Sequence, residues 1–583
     1  MKEKTQKKLS QIQANILKPH GRNHCWYLFF KLNGNGIHGF KEERKAISHF
    51  KCQITSGLEQ VEEAINRKKF GIEGKVLTTL FLSKNGYEKL NNNVSNRESL
   101  KLLTLPLSDL GLTDDHMSQD WLKHHNLKDF HNCDDEYSID LGIMIADDHL
   151  NVVDAYSMFV EKYFTKSGFD HLFTEKGEVI KKNGAYYEPF GYKDGLSKLP
   201  FWKQENEELD FKSLSVVLDN NGGSMVAFLK LEQKVKEFCN QVLSISKELI
   251  ERSEEDIPPL EEEEKLKEVM EYVYAQIMGR YRDGTPLVVG KEYHRDTQES
   301  DFWIKNAREI IKSNWIDSFN EYDLDTPPEG GFNQIDPHGK KCPFFAHIRK
   351  ANLRDQIHGV AKNNWCKDRD SNKLVENKEF SFSSDEQNLI SDFIKKSEIK
   401  FHSVYTLLSL YKKLKSDDPL SLRGPESLIQ YAFDQLQDNK DTYCPNTSHI
   451  RIARRGIPYN EPLTQEVNTN QNDKVEQNRL CKSKYKFGSQ GLLFMSYQRT
   501  VCQFQKILEW MRLEGFPSEH SGVDPIFGRT NSKEPLPYIF KNKPSSDAKC
   551  IKKNIKFSDY VIFIGGEYFY APPMKWINDL GSD

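Results

Sequence analysis

The run CWYLFFKL at residues 25–32 holds four aromatics and one charged residue in eight positions. A stretch of that kind has to be buried, and its aromatic richness reads as a strand. VLTTLFLS (76–83) and DLGIMIADD (140–148) repeat the signal. Between them lie charged helical stretches, GFKEERKAISHF before the second run and VKEFCNQVLSISKELI later on. SLSVVLD, NNGG and SMVAFLKLEQ read together as a hairpin, with Asn-Gly at the turn where positive φ is needed. Strands and helices alternate without a strict repeat, and hairpin signals occur in both halves. That pattern predicts an α+β fold rather than a doubly wound parallel sheet.

The chain has 583 residues, against roughly 100–200 for a typical domain, so two or more domains or one enlarged fold are expected. Residues 253–269, SEEDIPPLEEEEKLKEV, read as a solvated linker or helix face. Residues 356–446 are polar at first and then periodic around ISDFIKKSEIKFHSVYTLLSLYKKLK, which predicts an inserted, largely helical subdomain. The formal charge of −4 offers no basic excess for nucleic acid or an anionic membrane. No window holds the ~18 apolar residues of a membrane span. The N-terminal MKEKTQKKLSQIQANILKPHGR is basic but has no apolar core, so it is not a secretory signal. Ten cysteines lie apart with no CxxC pair, so neither a zinc ribbon nor a disulfide framework is indicated. A reduced, cytoplasmic setting is the expectation, with export by another route left open.

Several short patterns carry chemistry. GNGIHG places Gly34, Gly36 and Gly39 in a GxGxxG spacing, and Glu59 follows at 59 − 39 = 20 residues, where a ribose-binding acid would stand. Without repeating βαβ units, a flexible strand-to-helix loop explains these glycines equally well, and an NAD-binding oxidoreductase is the remoter alternative. His124, His125, His131 and Cys133, beside Asp134 and Asp135, match no standard zinc spacing and read as a polar loop. GYKDG (191–195) frames Asp194 between glycines; alone it is an ordinary Asp-Gly turn. RIARRGIPY (451–459) sets Arg454 and Arg455 after an apolar pair; alone it is a strand end with surface arginines. CPFFAHIRK (342–350) buries His347 among apolar residues, where a single histidine is ordinarily a satisfied core group. Taken together, these are the parts a haem peroxidase needs. They are an imidazole to ligate iron, a carboxylate to move a proton between peroxide oxygens, and a guanidinium to offset the charge that develops.

In this order the segments resemble the dye-decolourising peroxidase family. GYKDG is similar to its GxxDG motif, CPFFAHIRKANLRD to its proximal-histidine segment and RIARRGIPY to its distal-arginine segment, while GLLFMSYQ (491–498) resembles the strand lining the pocket above the haem. IQANILKPHGRNHCWYLFF, NGGSMVAFLKLEQ, IMGRYRDGTPLVV, SGVDPIFG and FIGGEYFYAPP also resemble family segments. The resemblance implies two ferredoxin-like domains, duplicated antiparallel sheets with flanking helices that enclose a haem pocket. On that reading residues 1–200 form the first domain and 201–583 the haem-binding second, with the insertion at 356–446.

Further implications are one haem b per chain and oxidation of an organic donor, of dye or phenolic type, by hydrogen peroxide. His347 would be the proximal iron ligand, Asp194 the distal acid/base and Arg454 the distal cation. Leu492 and Phe494 would wall the pocket, Asp524 would accept the second ring N–H of His347, and Arg349 would meet a haem propionate. A homo-oligomer is possible. Leu353 and Ala14 depart from the common Pro and Gly of the family, and 454 − 347 = 107 positions separate two site residues that the family joins by a short connection. Inserted segments normally emerge at the surface, so the site can survive that insertion. The alternative from another class is a haem carrier or sensor without turnover; retention of both Asp194 and Arg454 argues against it.

Overall fold

In a computed structural model the described residues are 1–34, 40–91, 139–195, 201–204, 208–209, 214–252, 259–285, 287, 339, 342–351, 451–462, 487–512, 522–528, 535–543 and 548–580. The insertion at 356–446 and the His124–Cys133 cluster fall outside them, as does Leu353.

The N-terminal part begins with α1 (Glu3–Ser10) and then runs β1 (His24–Leu32), α2 (Lys41–Phe50), α3 (Gly57–Phe70) and β2 (Leu77–Ser83). It continues through α4 (Lys84–Leu90), β3 (Leu141–Asp147), α5 (Leu150–Lys166) and β4 (Phe169–Glu178). Its strands pair antiparallel in the order β2-β3-β1-β4, the ferredoxin-like order. Short pairs follow: β5 (Ile180–Lys182) with β6 (Ala185–Tyr187), and β7 (Trp202–Gln204) with β8 (Glu208–Leu209).

The second part runs β9 (Ser224–Gln233), α6 (Val235–Glu251), α7 (Pro259–Met278) and α8 (His347–Ala351). Then come β10 (Ala453–Arg454), β11 (Ile457–Pro462), β12 (Phe487–Gln498) and α9 (Val501–Arg512). The pair β13 (Leu536–Lys541) and β14 (Cys550–Ile555), β15 (Val561–Ala571) and α10 (Met574–Asp579) complete it. Its order β10-β12-β9-β15, with β11 also on β12, repeats that of the first part. The repeats join because β15 pairs with β2, opposing Phe569 to Ser83 and Tyr570 to Leu82, which makes one nine-stranded sheet.

That sheet curls until its ends meet. A Cβ on Gly177 of β4 would lie 2.4 Å from Ile457 Cγ2 of β11, so only glycine allows the approach. The ion pair between Lys230 on β9 and Glu175 on β4, at 3.0 Å and buried, also crosses the curl. Alternate side chains of every main strand fill the interior, among them Tyr27, Phe29, Phe81, Phe228, Met495 and Phe569. The opposite face packs on the helices. Both faces are therefore covered, which is why β2 and β3 are buried at every position and look in sequence like unbroken apolar runs.

Three expectations change. Residues 214–218 form turns, not a strand, so the Asn-Gly turn has no hairpin partner upstream; Asp219 Oδ1 instead accepts from the backbone N–H of Asn221 and Gly223. The nucleotide reading fails because both neighbours of β1 are antiparallel to it. Its expected ribose acid, Glu59, is occupied in the capping box of α3, where it accepts from the Ser56 backbone N–H at 2.7 Å. Cys25, Cys52 and Cys550 carry free thiols, but Cys239 is disulfide-bonded, which removes the support that cysteine usage gave to a reducing compartment. Among the described residues no helix is long and apolar enough to cross a membrane.

Candidate active site

GYKDG follows the β5–β6 hairpin and is tied to it by Asp194 N donating to Tyr186 O at 2.9 Å, while Lys193 N donates to Arg282 O, beyond α7, at 2.8 Å. The two glycines have φ of +93° (Gly191) and +75° (Gly195), a region that side chains with a Cβ rarely adopt. The chain can thus turn sharply on both sides of Asp194, whose Oδ1 accepts from Gly195 N at 2.6 Å.

Arg454 is placed by strand alternation. Successive side chains of a strand point to opposite faces, so in β10 Ala453 enters the sheet interior while Arg454 turns to the other side. Alternation continues at Arg455, whose guanidinium donates to the carbonyls of Asn15 and Ile16, both at 2.6 Å. The same period in β12 sends Leu493 and Met495 into the interior and leaves Leu492 and Phe494 on the side of Arg454.

His347 opens α8. Its Nδ1–H donates to Asp524 Oδ2 at 2.8 Å. Asp524 is fully buried, and its Oδ1 accepts from the backbone N–H of Ile526 (2.7 Å) and Phe527 (2.8 Å). The carboxylate is thereby fixed, and it fixes the imidazole, leaving Nε2 as the ring nitrogen on the open side.

Asp194, His347, Arg454, Leu492 and Phe494 all line one cavity, in which the centre of a water-sized sphere can range through about 230 Å³. Its remaining wall is largely apolar, including Leu229, Leu231, Phe504, Leu508, Met511 and Phe527. Arg454 is open to this cavity but enclosed by protein. Burial pushes its pKa down, and the nearby Asp194 carboxylate draws it back up.

Arg349 is not among the lining residues. Two positions along a helix turn a side chain about 200° around the axis, so Arg349 leaves the face that His347 presents. It is fully buried, donates to Cys342 O at 2.7 Å and lies over the Phe344 ring at 4.4 Å. The propionate role expected of it therefore has no support from its position. Arg280 does line the wall, beside Lys193, Arg454 and Arg455, and its Nη1 donates to Gly284 O at 2.9 Å. Arg280 stands in IMGRYRDGTPLVV, a segment whose resemblance was legible although this residue's place was not.

Sequence reasoning also missed Glu188 and Gln233 in the wall, together with the α9 face of Phe504, Ile507, Leu508 and Met511. The i, i+3, i+4, i+7 spacing of the latter was a readable signal.

The donor set suits a haem. It offers an imidazole with Nε2 available, apolar walls for a flat macrocycle, and guanidinium groups of the kind that pair with carboxylates.

No protein-family model matches the chain. Two curated proteins do match: the dye-decolorizing peroxidase msp1 of Mycetinis scorodonius, 26% identical over 29% of this chain and 37% of that protein, and AauDyP1 of Auricularia auricula-judae, 21% identical over 75% and 64%. The chain thus spans less than two thirds of the length of either relative. Solved structures agree in fold along nearly the whole chain. A DyP-type peroxidase of Anabaena sp. superposes with a TM-score of 0.59 at 19% identity, covering 99% of this chain and 95% of the other. A fungal DyP-type peroxidase from Auricularia auricula-judae gives 0.54 at 17%, covering 98% and 99%. The fold is that of the DyP-type peroxidases, and the resemblance to dye-decolourising peroxidases carried by the motifs extends well beyond them.

Proposed function

We propose that this chain is a haem b peroxidase that uses hydrogen peroxide to oxidise organic donors of phenolic or dye type. The observation that carries the reading is that Asp194, Arg454 and His347, remote in sequence, line one cavity, with His347 held by the buried Asp524. His347 would hold the iron through Nε2, Leu492 and Phe494 would flank the macrocycle, and Arg280 suits one of its carboxylates. When bound, the haem supplies a redox-active iron that takes electrons from the donor in single steps.

The chain's own residues handle protons and charge. Asp194, acting as the base, takes the proton from one peroxide oxygen and returns it to the other, so that water leaves. Arg454, charged and partly desolvated, offsets the negative charge that grows as the O–O bond breaks. Asp524 increases the electron donation of His347 by accepting its Nδ1–H. The supporting test is donor oxidation by the haem-loaded chain. Turnover of a phenol or an anthraquinone dye that depends on peroxide and disappears in His347→Ala is the expected result. A stable haem complex that oxidises neither would leave a haem carrier or sensor and overturn the proposal.

A further inference from the structure

The cavity holds a second carboxyl that this mechanism does not use. Glu188 lies six residues before Asp194 and lines the same wall. Its side chain folds over the turn that leads to Asp194: Oε1 accepts from Tyr192 N at 2.8 Å, and Oε2 from Phe190 N at 3.1 Å and Gln233 Nε2 at 2.8 Å. The backbone closes the same loop, Glu188 N donating to Tyr192 O and Gly191 N to Glu188 O. Gln233 Oε1 is buried and meets no donor among the described residues. An amide so placed has two uses. It donates through Nε2 to an ionised Glu188, and after a flip it accepts through Oε1 from a protonated one.

We propose that Glu188 is a second titrating carboxyl of this site, placed to set the charge that Asp194 feels across the GYKDG turn. The inference rests on the peroxidase reading for its consequence but not for the titration itself. Burial raises the Glu188 carboxyl to about 7, its hydrogen bonds opposing the shift and the Asp194 charge adding to it. The other groups around it are Tyr192 on the loop, Tyr274 of α7 and Glu271 paired with Arg282, while Lys193, Arg280, His347 and Arg454 line the same cavity. As pH rises through neutrality Glu188 ionises, and the added negative charge in the shared wall favours transfer of a proton toward that wall. Glu188 is thus a positioning and charge-setting residue, not one that touches peroxide.

The experiment has two readouts on the full, haem-loaded chain. Infrared difference spectra across pH 5–9 should show a protonated-carboxyl band that disappears with a midpoint near 7, and that band should be absent in Glu188→Gln. Gln233→Met, which removes the amide from both forms, should keep the band and displace its midpoint even if the first variant folds poorly. In parallel, the rate of reaction with hydrogen peroxide should show an inflection in the same range, rising with pH, that is lost in Glu188→Gln. No band lost in Glu188→Gln overturns the titration, and a midpoint unmoved in Gln233→Met overturns the part given to Gln233. A band lost while the inflection persists overturns the link to Asp194. Absence of any peroxide reaction removes the peroxidase reading and the link with it, while the infrared result still decides whether Glu188 titrates there.

Discussion

Asp524 shows how much one buried carboxylate can organise. Three donors converge on its two oxygens: one imidazole N–H and two backbone N–H groups of the turn that follows it. Replacing it by Ala removes the fully buried acceptor of all three, which belong to half-buried residues. A buried donor so stranded costs about 1–3 kcal/mol, and outer partners of metal ligands commonly matter by about 10–100-fold in affinity. Asp524→Ala should therefore lower the urea midpoint and weaken haem binding by about that factor, as read from a titration followed by absorbance. Unchanged haem affinity would mean that Asp524 organises only its own turn. SGVDPIFG brings Asp524 to His347, while Arg349, two residues after the histidine, lies outside the cavity wall. Motif position fixes a residue along the chain, whereas its direction depends on the helix that carries it.

At the scale of elements, the placement of the site rests on period-two alternation. The consecutive Arg454 and Arg455 do different work: both residues line the cavity, but the Arg455 guanidinium is taken up by the carbonyls of Asn15 and Ile16. β12 must also lie close to β9. A Cβ on Gly491 would stand 1.9 Å from the Leu231 backbone oxygen, which no side-chain movement can relieve. Gly491→Ala should force the two strands apart, at a cost of about 1–3 kcal/mol, the usual scale of overpacking. Because Leu229, Leu231, Leu492 and Phe494 reach the cavity from these strands, haem binding should weaken along with stability. A fully stable variant with wild-type haem affinity would show that the spacing is not set there. Much of this was legible in sequence: the buried strands β1, β2 and β3 announced themselves by unbroken apolar runs. Residues 214–219 of the supposed strand do not form one, because an apolar run beside an Asn-Gly turn fits a buried turn as readily as a hairpin arm.

Over the whole molecule, duplication explains why distant residues meet. Each half repeats the same strand order, and the halves share one sheet, so Asp194 from the end of the first meets Arg454 and His347 from the second. The sequence carried the order of the segments but not the curl that closes the sheet, since the contact of Gly177 with Ile457 joins residues far apart along the chain. Glu188 was illegible for the same reason: its side-chain partner Gln233 comes from the other half. The central claim is that this convergence makes a proton-transfer site. It is tested most directly by mixing the haem-loaded chain rapidly with one equivalent of hydrogen peroxide, following the absorbance change in wild type and in Asp194→Ala. The account predicts the same starting spectrum for both and a reaction slower by about 10²–10⁴-fold without the carboxylate. Equal rates in the two proteins would contradict it.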